Sequence, residues 1–190
     1  MSTALQADFV SRDEYLASEE ESSIRREYVS GVVYAMAGGT QRHNLICGAL
    51  HNAVYSHLRG GACRVFIHDI KVRIPLAPGN DAFYYPDQIV DCGARAADQE
   101  LFSESPKVIV EVLSESTARV DRIEKLNNYK KIPSLEEYVL VAQDKMEAIV
   151  FRRAQNWAAE RVQKPDEKLE LKSIRFAVSL AEVYRDVSFG

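Results

Sequence analysis

A single carboxylate lies inside the most apolar segment of the chain. Residues 107–113 read Lys-Val-Ile-Val-Glu-Val-Leu, which is typical of a strand buried on both faces. Because side chains alternate along a strand, Glu111 shares a face with Ile109 and Leu113. An ionised carboxylate there costs several kcal/mol unless a cation or hydrogen-bond donors compensate it. Two interpretations remain open: an ion pair with an internal lysine or arginine, or a ligand to a metal ion.

A second carboxylate is placed to join Glu111. Asp87 follows Pro86 at the start of an apolar strand, residues 88–91. Consecutive strands of one sheet would set Asp87 and Glu111 side by side. Alone, Asp87 is typical of a turn at a strand entry. Converging carboxylates without thiolates or clustered histidines favour a hard cation such as Mg²⁺.

The following helix supplies a cationic side chain. Helical periodicity extends over residues 117–131 and ends before Pro133. A helical wheel predicts an apolar stripe of Val120, Ile123, Leu126 and Tyr129 and, opposite it, a polar stripe of Asp121, Lys125 and Asn128. The polar stripe is either solvated, with an i,i+4 ion pair between Asp121 and Lys125, or it borders the carboxylates. In the second case Lys125 would position a water or stabilise charge on a phosphorane.

The charge balance limits the partners of the chain. Its 190 residues include 24 Lys+Arg and 28 Asp+Glu, a formal net charge of −4. That balance excludes a generally cationic binder of nucleic acid or of membrane surfaces, but not a nucleic-acid enzyme with a locally basic cleft. Positive charge clusters on the predicted second long helix: Arg119, Arg122, Lys125, Lys130 and Lys131. No GxxxxGK[ST], GxGxxG or GxSxG motif occurs, which argues against a nucleotide-binding enzyme or a serine hydrolase.

The predicted elements alternate in type. Helices are expected at 11–27, beginning at Ser11, at 41–59, at 117–131 and at 179–184, and strands at 27–36 (two, around a turn), 64–74, 84–91, 107–113, 137–142, 148–152, 157–163 and 169–171. This order predicts a mixed α/β fold, with a central sheet flanked by helices and a β-rich C-terminal part. No segment reads as a linker, so residues 1–190 are expected to form one domain.

Cysteine usage and hydropathy point to the cytoplasm. The three cysteines, Cys47, Cys63 and Cys92, are dispersed and form no CxxC pair, which predicts small core residues rather than a disulfide framework or a zinc site. No apolar stretch is long enough for a membrane span, and no basic segment followed by an apolar block opens the chain. A cytoplasmic protein without a membrane partner is therefore expected.

Taken together, the motifs resemble the PD-(D/E)xK nuclease superfamily. More closely, the chain is similar to a large bacterial endonuclease family of restriction-endonuclease-like fold, long catalogued as a domain of unknown function. The resemblance covers nearly the whole chain and rests on Glu27-Tyr-Val-Ser-Gly31, His43, Tyr85-Pro86-Asp87, Glu111-Val-Leu-Ser114 with Thr117, Asp121, Lys125, Tyr129, Glu137-Tyr138 and Trp157.

One departure affects the assignment of the site. The superfamily places a lysine two residues after the acidic residue, where this chain has Leu113. In the closer family the lysine has moved to the next helix, the position of Lys125. The resemblance therefore implies catalytic roles for Asp87, Glu111 and Lys125 and metal binding by Asp87 and Glu111.

Three further residues have weaker assignments. Glu27 would complete the metal site, or it is a cap or surface carboxylate. Asp121 would hold Lys125 in place, and His43 would border the cleft as a supporting residue.

Two functions from different classes follow. The first is a metal-dependent endonuclease that hydrolyses DNA with Mg²⁺, for which Mn²⁺ would substitute; a homodimer would cut both strands. The second is a non-catalytic binding or oligomerisation module that retains the fold. The acidic net charge and the displaced lysine support the second.

Overall fold

The structure is a computed structural model that describes residues 9–36, 38–93, 101–114 and 118–189. It is a mixed α/β fold in which two sheets share an apolar core and helices pack against these sheets. This architecture confirms the predicted fold class.

The first sheet has five strands in the order β2-β1-β5-β4-β7. Its strands are β1 (Arg26–Val29), β2 (Val32–Ala35), β4 (Lys71–Ala77), β5 (Asn80–Tyr84) and β7 (Phe102–Ser103). β4 and β7 are parallel, and the other neighbours are antiparallel.

The second sheet has six strands in the order β11-β10-β9-β8-β6-β3. Its strands are β3 (Arg64–Ile67), β6 (Gln88–Asp91), β8 (Pro106–Leu113), β9 (Glu137–Ala142), β10 (Ala148–Arg152) and β11 (Ala159–Val162). Among the described strands of this sheet, β8 and β9 are parallel and the other neighbours are antiparallel. A separate hairpin joins β12 (Lys168–Leu171) to β13 (Phe176–Ser179).

Four helices accompany the sheets in the residues that the structure describes. They are α1 (Arg12–Glu21), α2 (Gln41–Leu58), α3 (118–129) and α4 (Leu180–Val183), with 3₁₀ turns at Arg153–Gln155 and Lys172–Ile174. Ser11 caps α1 through a reciprocal capping box with Glu14, which confirms the predicted helix start. Within the described ranges, no helix is long and apolar enough to cross a membrane.

Strand β8 lies at the centre of the core. Val108, Val110 and Val112 pack on one face, toward α2 and the C-terminal hairpin. Ile109 and Leu113 pack on the other face, toward the five-stranded sheet and α3. The prediction of a strand buried on both faces is confirmed, and Glu111 lies on the side of α3.

The single strand predicted over 64–74 is wrong. The chain leaves β3 after Ile67, His68 adopts a positive φ of 54°, and β4 begins in the other sheet at Lys71. Asp69 lies at the surface, where its carboxylate contacts Arg25. Apolar side chains continue on both sides of the break without glycine or proline, so no local pattern marked the change of sheet. The predicted strand 84–91 is similarly divided between β5 and β6.

The prediction that Cys63 and Cys92 are merely core residues is also wrong. They form a disulfide, with Cα atoms 4.1 Å apart, and Cys47 is free and buried. The two cysteines flank the β3–β6 ladder next to its Arg64–Asp91 pair. The pairing of these two strands creates the contact, and cysteine spacing alone does not encode it.

This disulfide predicts a measurable redox dependence of stability. Reduction should lower the free energy of unfolding by about 3 kcal/mol, because the bridge closes a long loop in the unfolded chain. Guanidinium unfolding with and without reductant measures this, and the Cys63→Ala/Cys92→Ala double variant should not respond to reductant. Three titratable thiols in unreduced, denatured protein would contradict the bridge, which leaves only Cys47 free.

Candidate active site

Asp87 and Glu111 meet where two neighbouring strands of the six-stranded sheet run antiparallel. The β6–β8 register pairs Gln88 with Val110, so the preceding residue, Asp87, lies beside Glu111. The Val112 backbone N–H donates to Asp87 Oδ2 over 2.7 Å, and this hydrogen bond holds the carboxylate beside β8. The structure therefore brings together the two carboxylates that the sequence placed on consecutive strands.

Two imidazoles hold Asp87. His43 Nε2 lies 3.2 Å from Asp87 Oδ2, and His68 Nδ1 lies 3.7 Å from Oδ1. Burial raises the pKa of Asp87, but the hydrogen bonds with the two histidines outweigh burial and bring that pKa below its usual value. Asp87 is therefore ionised across the neutral range. The break between β3 and β4 is what turns His68 toward this carboxylate.

Glu111 is almost completely enclosed. Its Oε1 accepts a hydrogen bond from Tyr129 Oη at 2.9 Å and another from Lys125 Nζ at 3.2 Å. Burial raises the pKa of Glu111 well above its usual range, and the Lys125 ammonium offsets only part of that effect. A nearby cation therefore favours the ionised form of this side chain.

Lys125 is the common partner of three carboxylates. Its Nζ lies 2.9 Å from Glu27 Oε1, 3.2 Å from Glu111 Oε1 and 3.3 Å from Asp121 Oδ1. Burial lowers the pKa of Lys125, but the carboxylates reverse this and hold the pKa well above its usual value. Lys125 is 5% exposed, and its ammonium stays protonated.

Glu27 reaches this cluster from the five-stranded sheet. Its Oε1 accepts the backbone N–H of Tyr85 at 3.3 Å in addition to its contact with Lys125. Glu27 is therefore directed into the interior, and neither a helix cap nor a solvated surface carboxylate describes its position.

A π-helical turn in α3 directs Asp121 and Lys125 inward. Residues Ala118–Val120 and Leu126–Tyr129 are α-helical, and the wider turn Asp121–Lys125 lies between them. The buried hydroxyl of Tyr138 donates to the Asp121 carbonyl at 3.1 Å. A side chain from outside the helix therefore supplies a hydrogen bond to a backbone carbonyl in the irregular turn.

The same turn overturns the helical-wheel prediction. Ile123, expected on the buried stripe, is 59% exposed, whereas the polar stripe is buried together with Tyr129. A constant helical period does not apply across a widened turn, so the apolar and polar residues do not lie on opposite faces of the helix as predicted. Thr117, the predicted first residue of this helix, lies outside the described residues.

The residues border a cleft of about 430 Å³. Members of its lining include His43, Asp87, Glu111, Asp121 and Lys125. A shallower groove of about 1470 Å³ adjoins it and shares Gly38, Gly39, Thr40, His43 and Ser114. Asp87, Glu111 and Asp121 therefore line a cleft that adjoins a second groove.

The donor set fits a hard divalent cation. Three carboxylates, from Glu27, Glu111 and Asp121, contact the Lys125 ammonium, and a fourth, from Asp87, lines the same cleft as Glu111 and Asp121. Within the described part of the chain, buried Asp121 Oδ1 has no hydrogen-bond partner of acceptable geometry, although Lys125 lies nearby. Mg²⁺ and Mn²⁺ bind oxygen ligands, and these carboxylates carry more negative charge than the Lys125 ammonium neutralises.

Other contacts of the site were not predicted from the sequence. Tyr129 was assigned to the apolar stripe and to the family motif without a role in the site, and Cys47, whose Sγ lies 3.6 Å from His43 Nδ1, was expected to be a core residue. In both cases a spacing of four residues on a helix, from Lys125 to Tyr129 and from His43 to Cys47, was the available indication.

The His43–Asp87 pair predicts a pH-dependent stability. The hydrogen bond with Asp87 is the main cause that raises the pKa of His43 above 6.5. The stabilisation from this pair is complete below the unfolded-state pKa of 6.5 and is lost as the pH rises through the raised pKa of the folded state. His43→Gln should therefore cost about 1–2 kcal/mol of unfolding free energy near pH 6 and less near pH 8.5.

A second histidine on α2 provides a control of opposite sign. Burial lowers the pKa of His51, so His51→Gln should relatively stabilise the protein at low pH. Urea unfolding of both variants at several pH values makes the comparison. A cost of His43→Gln that does not change with pH would contradict an ionic pair with Asp87.

Comparisons with known proteins identify the family of the chain. The model of the Uma2 family, described as "Putative restriction endonuclease", matches residues 12–182. An uncharacterised protein of Synechocystis sp. PCC 6803, slr1290, is 34% identical over 182 residues, which span 95% of this chain and 94% of that protein. A second, sll1609, is 28% identical over 137 residues, 68% of this chain and 73% of that protein.

A solved structure has the same fold. The crystal structure of "a putative nuclease belonging to DUF820" from Anabaena variabilis superposes with a TM-score of 0.76 at 18% identity and covers 93% of this chain and 98% of that one. The predicted restriction-endonuclease-like fold and the predicted family are both confirmed. From the family match over residues 12–182 and the identity to slr1290, the chain belongs to the Uma2 family.

Proposed function

We propose that the protein is a metal-dependent endonuclease that hydrolyses phosphodiester bonds of DNA in the cleft above Asp87 and Glu111. The observation that carries this proposal is the convergence of these carboxylates with Lys125 on one cleft, in a chain of the Uma2 family. Asp87 and Glu111 would hold the cation, with Glu27 completing the site. Bound there, Mg²⁺ or Mn²⁺ supplies Lewis acidity toward the phosphate and a more acidic water.

Lys125 acts in this proposal as a fixed positive charge. Its ammonium remains protonated among Glu27, Glu111 and Asp121, so it does not serve as the general base. A preorganised ammonium in a water-poor site stabilises negative charge that develops on the phosphate. Asp121 positions this ammonium, and Tyr129 holds Glu111 through a hydrogen bond to Oε1.

The adjoining groove provides a path for the DNA backbone. Its lining includes the basic residues Arg42, Arg122 and Lys145 together with the acidic residues Asp144 and Asp186. This mixed lining and the net charge of −4 favour weak, salt-sensitive binding over capture by a basic surface. The cation in the cleft would then contribute directly to engagement of the phosphate.

Substitution of the central carboxylate tests the proposal. Glu111→Gln should reduce Mg²⁺- or Mn²⁺-dependent cleavage of DNA by about 100-fold or more, because the amide is a poor substitute for a carboxylate ligand. Nicking of supercoiled plasmid and cleavage of labelled single strands provide the measurement. Glu170→Gln, at an exposed position, should leave cleavage unchanged.

Two outcomes would contradict the endonuclease. One is wild-type protein that cleaves neither single- nor double-stranded DNA with either metal. The other is residual cleavage that Glu111→Gln does not reduce. Absence of cleavage together with absence of Mn²⁺ binding would favour the non-catalytic module.

Lys125 should separate catalysis from metal binding. Lys125→Met should lower kcat by about 100-fold through loss of the fixed charge. Removal of this cation also leaves more uncompensated negative charge, so the Kd for Mn²⁺ should fall. Calorimetry and single-turnover cleavage test both parts, with Lys164→Met as the exposed control. Full kcat in Lys125→Met, or weaker Mn²⁺ binding, would argue against this role.

A further inference from the structure

We infer that His43 Nε2 is a metal ligand beside Asp87 and that the cleft therefore selects a first-row transition ion, Mn²⁺ in the test below, over Mg²⁺. This inference rests on the proposed function and identifies the cation of the same site. It reverses the order expected from the carboxylates alone, in which Mg²⁺ leads and Mn²⁺ substitutes.

The two donor atoms lie at a separation suited to one ion. His43 Nε2 and Asp87 Oδ2 are 3.2 Å apart, and both residues line the cleft with Glu111. Neighbouring ligands of an octahedral ion with bonds of about 2.1 Å are about 3 Å apart. His43 comes from α2 and Asp87 from the start of β6, so two separate elements converge on this point.

The far side of the His43 ring is fixed in place. Cys47, one helical turn later, puts Sγ 3.6 Å from His43 Nδ1. Gly39 also lies close to the ring, because a Cβ at that residue would lie 3.0 Å from Nδ1. A ligating imidazole has its second nitrogen held by such a partner, which sets the ring orientation. Here the partner directs Nε2 toward Asp87 and the cleft.

Cys47 serves as this positioning residue and is not itself a ligand. Its ligand atom lies within 4.8 Å of those of His43 and Asp87, but its side chain is buried in the apolar core and is absent from the described lining of the cleft. Beside Asp87 Oδ2 the nearest imidazole donor in the cleft is therefore His43 Nε2 at 3.2 Å, whereas His68 Nδ1 lies 3.7 Å from the other oxygen. Mg²⁺ favours oxygen ligands throughout, whereas imidazole raises affinity for transition ions.

Electron paramagnetic resonance of bound Mn²⁺ tests this without any assay of activity. In full-length wild-type protein, spin-echo modulation should show one coupled imidazole nitrogen, and competition should give a Kd for Mn²⁺ at least about tenfold below that for Mg²⁺. His43→Gln should lose the nitrogen coupling and weaken Mn²⁺ about 10- to 100-fold with little change for Mg²⁺. Thermal unfolding verifies that each variant is folded.

A second histidine at the cleft makes the matched control. His68 Nδ1 is 3.7 Å from the other oxygen of Asp87, and His68→Gln should retain the nitrogen coupling. Asp87→Asn should abolish binding of both ions. Mn²⁺ binding that requires Asp87 but shows no nitrogen coupling, or a coupling removed by His68→Gln, would overturn the role of His43 and leave the proposed function standing. No binding of either ion to wild-type protein would overturn both.

Discussion

The Lys125 ammonium joins three parts of the fold that would otherwise repel one another. Glu27 belongs to the five-stranded sheet, Glu111 to the six-stranded sheet and Asp121 to α3, and all three contact Nζ within 3.3 Å. Buried carboxylates at this density are tolerated only with a shared cation and with hydrogen bonds for the remaining lone pairs. This one charge therefore allows the two sheets to close over an acidic interior.

Apolar packing around the cluster makes its electrostatics effective. Ile109, Leu113 and Leu126 belong to the core on the same side of β8, and Tyr129 and Tyr138 add hydroxyl donors within it. Fields between charges are much stronger in such surroundings than in water. The carboxylates outnumber the ammonium, so the net negative charge of the cluster strongly attracts a further cation. The cleft provides the route by which that cation can enter.

The site has two sides with different chemistry. On the side of α3, Lys125 and Tyr129 hold Glu111. On the side of α2, His43 meets Asp87, while Cys47 and Gly39 restrict the imidazole. β8 connects the two sides, because it carries Glu111 and donates the Val112 N–H to Asp87. Lys125 thus reaches Glu111 from a helix, whereas the position two residues after Glu111 on the strand is Leu113.

What the sequence determined by itself was set by interactions between near neighbours in the chain. The capping box at Ser11, the periodicity of α2 and the apolar run of β8 each act within a few residues, and the order of motifs around Asp87, Glu111 and Lys125 identified the family. The tertiary structure alone decided the Cys63–Cys92 bridge, the break at His68 and the wide turn of α3. These depend on which distant strands pair and on which buried groups need partners, and local periodicity carries no information about either.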